Sequence, residues 1–163
     1  MVVGIDPKAL DIYVRGVRSK YESELRRWVE IPSISLAPEH RPDIARGAEA
    51  AAKAVVRLGG SAEILKTRGN PVVVGRFVSD RKQPKVSMYN ARDVQREPFR
   101  MSIEGDRYYA RGATDDKGPA LAVLHAAAFA RNAGVPLNIQ FIWELEEEIG
   151  SPNFEGFMKQ HAK

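Results

Sequence analysis

Cysteine is missing from all 163 residues, which excludes a disulfide framework, thiolate catalysis and zinc–sulfur centres. Long apolar runs are missing too: no stretch approaches the length of a bilayer span. The opening MVVGIDPKAL lacks the basic-then-apolar layout of a secretory leader, so a reducing cytoplasm is the expected compartment and no membrane partner is expected. Histidine is scarce, with three residues at His40, His125 and His161. An excess of one charge sign is nearly lacking: 25 Lys and Arg face 21 Asp and Glu, for a net charge of +4. Arg15, Arg18, Arg57, Arg68 and Arg100 are scattered rather than interleaved with aromatics along a stripe. They read as a solvated surface, and no nucleic-acid partner is expected. Neither internal repeats nor low-complexity segments occur.

What is present fits one globular domain, with 44% hydrophobic and 28% charged residues. Leu10, Tyr13, Val14, Val17, Tyr21, Leu25 and Trp28 recur at helical spacing over 7–30, and Pro32 stops that helix. Residues 31–42 form a proline-rich loop. Asp43 is placed to cap a second helix that ends at Gly59-Gly60. SAEILKT (61–67) and PVVVGRFV (71–78) read as strands joined by a tight turn at Arg68-Gly69-Asn70, and PKVSMYN (84–90) as a third strand. GDRYYARG (105–112) gives a turn and a short strand, and the alanine-rich run 117–134 a strong helix. LNIQFIWELE (137–146) is a strand, and 151–163 begins one more helix. This mixture predicts an α/β three-layer sandwich: a mixed, mostly parallel sheet with helices on both faces.

Two acidic clusters fall at strand ends and the loops after them, where open α/β sheets place their chemistry. In RGATDDKG (111–118), Asp115 and Asp116 precede a helix. On residue type and position, helix capping is the first reading for them, ahead of catalysis. In WELEEEIGS (143–151), Glu144, Glu146, Glu147 and Glu148 follow an apolar strand. A solvated acidic turn is one reading. Like charges crowded there repel one another, however, and a bound cation would relieve the crowding. A carboxylate beside such a cation could act as a general base.

Taken in order, VEIPSIS (29–35), GNPVVVGRF (69–77), RDVQ (92–95), GDRYYARGATDDKG (105–118) and ELEEEIGSPNFEGFM (144–158) resemble the co-catalytic zinc peptidases. That family includes carnosinase-type dipeptidases, glutamate carboxypeptidase, aminoacylase and acetylornithine deacetylase, and the carnosinase-like branch is nearest. The resemblance implies hydrolysis of peptide or acyl-amino-acid amides by a water held between two zinc ions. It implies that Asp115 bridges the zincs, Glu147 is the general base, Glu148 ligates one zinc, and Asp93 orients a histidine ligand from behind.

The departures are local. In the family's Gly/Asn-His-X-Asp-Val-Gln-Pro stretch, Ala91 stands at the histidine, with Arg92 beside it and Arg96 at the proline. Glu97-Pro98-Phe99 follows at once, and Leu145 stands where glycine is usual. The later acidic and histidine ligands and the lid domain do not fit within 163 residues. The chain is therefore expected to be the N-terminal portion of such a catalytic domain. Zinc is not expected to bind it tightly, and it is expected not to catalyse. The alternative is a non-catalytic module, truncated or engineered, that binds a partner or self-associates through an exposed sheet surface.

Overall fold

The computed structural model describes residues 5–79, 85–86 and 98–161. The elements in order are α1 (Pro7–Val29), a 3-10 turn (Pro38–His40), α2 (Arg41–Arg57), β1 (Ser61–Leu65), β2 (Val72–Phe77), β3 (Lys85–Val86), β4 (Ser102–Glu104), β5 (Arg107–Tyr109), α3 (Lys117–Asn132), β6 (Asn138–Glu144), a second 3-10 turn (Glu147–Ile149) and α4 (Phe154–His161). The fold is α/β, as expected. Its four-stranded sheet runs β1-β2-β6-β3 and is mixed: β1 pairs antiparallel with β2, and β3 pairs parallel with β6. Beyond β3, the strand expected over 84–90 lies outside the described residues. The chain divides into two compact units, Met1–Glu30 with Phe77–Ile139 and Ile31–Arg76 with Gln140–Lys163.

The second unit shows why its strands and helices pair. Along β2, alternate side chains face opposite ways. Val72 and Val74 form a buried cluster with Phe157 of α4, and Leu65, Ile142, Phe154 and Met158 pack on it. The other face meets α2: a Cβ at Gly75 would lie 2.9 Å from Val55 and 3.4 Å from Phe141. β2 is thus covered on both faces, and its unbroken VVV run is what such a strand requires. Asp43, expected as the cap of α2, instead sits in the first turn of a helix that begins at Arg41. Its carboxylate takes a 2.7 Å hydrogen bond from His40 and pairs with Arg46, and these partners, His40 first, hold it below the usual aspartate range. His40 and Pro42 start this helix, because proline at the first turn surrenders no hydrogen bond.

In the first unit, Asp6 caps α1 by accepting from Lys8 N, and Pro7 occupies the first helical position. Leu25, Trp28 and Val29 bury the last turns. α1 packs along α3 through aromatic contacts: Tyr13 lies 5.0 Å from Phe129, and Tyr21 lies edge-on to His125 at 5.8 Å. The short strand expected within 105–112 proves to be half of a hairpin, β4–β5, turning at Gly105 with φ 60°. Tyr108 donates to Glu22, and Arg26 donates to the Met101 carbonyl, tying the hairpin to α1.

Candidate active site

Of the expected site carboxylates that are described, Asp115 lies in the first unit and Glu147 and Glu148 in the second. Asp115 sits in the loop between β5 and α3 and is 4% exposed. It joins Asp116 through a cis peptide. Asp116 stands at the N-cap position of α3 but makes no side-chain cap bond. The Asp116 side chain therefore does not serve as the cap of α3.

Other groups hold this loop. Gly118 N donates to the Gly112 carbonyl at 3.0 Å, and the Tyr21 hydroxyl donates to the Gly118 carbonyl at 3.1 Å. Lys117 turns back so that Nζ donates to the Trp28 carbonyl at 2.7 Å, satisfying an acceptor in the last turn of α1. Burial pushes the Lys117 ammonium down to about 8, with Asp116 opposing and Arg111 adding to that shift. Burial, with Tyr108 adding to it, pushes the Tyr21 phenol up to about 12. Glycine at 118 is required, because a Cβ there would collide with the Ala113 carbonyl, 3.0 Å from its carbon.

Glu147 and Glu148 belong to the second unit, in the 3-10 turn after β6, where Glu147 is half-buried and Glu148 exposed. The acidic run is not the uniformly solvated turn that one reading offered. Glu146 is 6% exposed. Its carboxylate accepts from Asn70 N at 2.8 Å and Asn153 Nδ2 at 2.9 Å. Glu144 accepts from the Ser151 hydroxyl at 2.5 Å. Both Asn70 Nδ2 and Ser35 Oγ donate to the Leu145 carbonyl, each at 2.9 Å. Sequence reasoning missed Glu146, Asn70 and Asn153. The Gly69-Asn70 pair read as an ordinary turn, and nothing in a run of glutamates tells which one points inward.

Asp93 and Ala91 lie outside the described residues. His125 is buried on α3, and the Tyr13 hydroxyl sits 3.4 Å from its Nδ1. His161 stacks on Phe157 at 4.5 Å.

The family model described as Peptidase family M20/M25/M40 matches residues 87–162. Those residues carry an M20 peptidase family domain. Among M20 relatives, the chain is 28% identical over 168 residues to the Cys-Gly metallodipeptidase dug1 of Schizosaccharomyces pombe, covering 90% of this chain and 35% of that protein. Human carnosine dipeptidase 1 superposes with a TM-score of 0.81 at 28% identity, over 94% of this chain and 37% of that one. The M20 family metallo-carboxypeptidase Sso-CP2 of Sulfolobus solfataricus superposes at 0.75 with 34% identity, over 86% and 34%. The chain spans about a third of the length of the curated relatives it matches.

M20 metallopeptidases imply zinc, which requires a suitable donor set. Among the described residues, no group of three or more His, Cys, Asp and Glu side chains is placed to hold a metal ion. A zinc site needs at least three protein donors. The described carboxylates do not make one. Among the described residues, no helix is long and apolar enough to cross a membrane.

Proposed function

We propose that this chain is the N-terminal portion of an M20-type catalytic domain built to hydrolyse peptide or acyl-amino-acid amide bonds, and that as it stands it does not hydrolyse them. The observation that carries this reading is Ala91, at the position where the resembling stretch has an imidazole. Asp115 and Glu148 keep the carboxylates of the bridging and terminal ligands, Glu147 keeps that of the base, and Asp93 is left to orient a histidine that this sequence does not have. Carboxylates alone fill zinc positions poorly, because imidazole supplies the neutral nitrogen donors that these sites use. A dipeptide, of the kind named for the dug1 and carnosine relatives, is the natural first substrate to try.

The test is calorimetric zinc titration of the purified protein alongside assays on dipeptides and acetyl-amino acids, with and without added zinc. The expected result is no tight site and no hydrolysis above the blank. Two tight sites accompanied by dipeptide hydrolysis would overturn the reading.

A self-associating module is the second reading. It is favoured by β1, which is an edge among the described strands and leaves Ile64 43% exposed. Light scattering that stays monomeric at high concentration would remove it.

A further inference from the structure

Crowding at the end of β6 places Glu144, Glu146, Glu147 and Glu148 within five residues. Coulomb repulsion among them calls for compensation, and a cation was the expected source. The second unit compensates differently. Glu146 is the buried member, and both of its partners, the Asn70 backbone amide and the Asn153 side-chain amide, are uncharged donors. Hydrogen bonds to a carboxylate are among the stronger ones in proteins, and a buried carboxylate that loses them pays a full desolvation penalty.

The anchor reaches both ways along the chain. On one side, Thr67 Oγ1 accepts from Gly69 N at 2.9 Å and donates to the Asn70 carbonyl at 2.7 Å, which fixes the turn that presents the Asn70 amide. The carboxylate also fills the space beside Gly69, where a Cβ would lie 2.8 Å from Glu146 Cδ and 2.6 Å from Asn153 Nδ2. On the other side, the Glu146 backbone carbonyl accepts from Ile149 N at 3.1 Å and Ser151 N at 3.0 Å, closing the turn that bears Glu147 and Glu148. One residue therefore joins the turn to its support through side chain and main chain together.

We propose that Glu146 is a positioning residue: its carboxylate anchors the Glu147–Glu148 turn to the Gly69–Asn70 turn and Asn153, so the acidic loop takes its shape without a bound cation. The inference holds whether or not the chain hydrolyses anything, and its test reads no activity.

The test is amide hydrogen exchange on the whole chain. In the unsubstituted protein, the Asn70, Ile149, Gly150 and Ser151 amides should be protected equally with EDTA and with added zinc. Protection that EDTA strips would overturn the proposal without any variant being made. Asn153→Asp sets a second carboxylate against Glu146, and exchange at Ile149, Gly150 and Ser151 should rise by roughly tenfold while the β2 amides hold. Combining it with Glu146→Gln reverses the pair, so that the new amide nitrogen at position 146 donates to the new carboxylate at position 153 while the amide oxygen accepts from Asn70 N, and protection should return to within about threefold of the starting level. A merely space-filling Glu146 would give no such rescue. Unchanged exchange in Asn153→Asp, or no recovery in the double variant, would also overturn the proposal.

Discussion

Two loops carry the acidic residues of this chain, and they are held by opposite kinds of chemistry. The Asp115 loop of the first unit is tied by ionisable groups: the Lys117 ammonium on the Trp28 carbonyl and the Tyr21 phenol on the Gly118 carbonyl. The Glu147 loop of the second unit is tied by neutral donors: the Asn70 and Asn153 amides on the Glu146 carboxylate, and the Ser35 hydroxyl on the Leu145 carbonyl. Each has a glycine with no room for a Cβ, Gly118 in the first and Gly69 in the second, but what fills that room differs. A Cβ at 118 meets backbone, whereas a Cβ at 69 meets side-chain ends. Carboxylates can thus be presented by a rigid backbone knot whose side-chain donors titrate, or by a softer clasp whose amide and hydroxyl donors do not.

The largest effect should come from Gly118→Ala. The Ala113 carbonyl cannot step aside without moving the loop, so the loss should be about 3 kcal/mol, the upper end for overpacking. Urea denaturation reads it as a lower midpoint. A midpoint unchanged from the parent would mean the backbone yields easily and the contrast with Gly69 is false. Gly69→Ala should cost about 2 kcal/mol, because the Glu146 and Asn153 side chains can shift, though only by giving up a buried hydrogen bond. Finding Gly69→Ala the worse of the two would reverse the ranking of the loops.

Asn70→Ala ranks third. It removes the donor from Nδ2 to the Leu145 carbonyl, but Ser35 Oγ still serves that carbonyl, and the Asn70 backbone amide still serves Glu146. A loss of about 1 kcal/mol is expected. Adding Ser35→Ala should cost more than the sum of the two single changes, because only the double variant removes both side-chain donors. Strict additivity in chemical denaturation would show that the two donors do not share the acceptor.

The unequal legibility of the two loops follows from the same physics. Periodicity marked α1 and α2, and the apolar VVV run marked β2, because burial of a whole face leaves a trace in the sequence; α3 was legible instead from its alanine content. The β4 strand, Ser102–Glu104, left none: three residues with mixed exposure show no period. Asp43 has the residue type of a cap and the position of a first-turn acid, and side-chain type alone does not separate the two. At the site, Asp115, Glu147 and Glu148 were picked out by resemblance to M20 sequences, which fixes order and spacing. Glu146 was not, because its importance lies in pointing inward toward a glycine, and a strand followed by four acidic residues gives no register for that. Asp116 shows the converse: it occupies the cap position, yet its side chain makes no cap bond, since the loop is closed by backbone and by Lys117 and Tyr21 instead.

The smallest effect is the one that separates the anchors by pH. Tyr21 ionises near 10.0 when exposed, and burial, with Tyr108 adding to it, lifts the phenol to about 12 in the fold. Between those values the unfolded chain has lost the proton while the folded chain keeps it. The folded state then binds more protons, so stability falls as pH rises. The contribution is fully present below pH 10 and is lost by pH 12, on the order of 1 kcal/mol once solvent screening is allowed for. Loss of the phenol proton also removes the donor to the Gly118 carbonyl, so the loosening should centre on the Asp115 loop. Tyr21→Phe should lower stability slightly at neutral pH and flatten the alkaline decline; Tyr13 and Tyr108, whose phenols are also raised, should leave a residual slope. Denaturation midpoints from pH 10.5 to 12 measure this directly, above the window from about 8 to 10.5 in which the depressed Lys117 ammonium makes stability rise with pH. An alkaline slope in Tyr21→Phe as steep as the parent's would show that the first loop is no more dependent on titrating groups than the second.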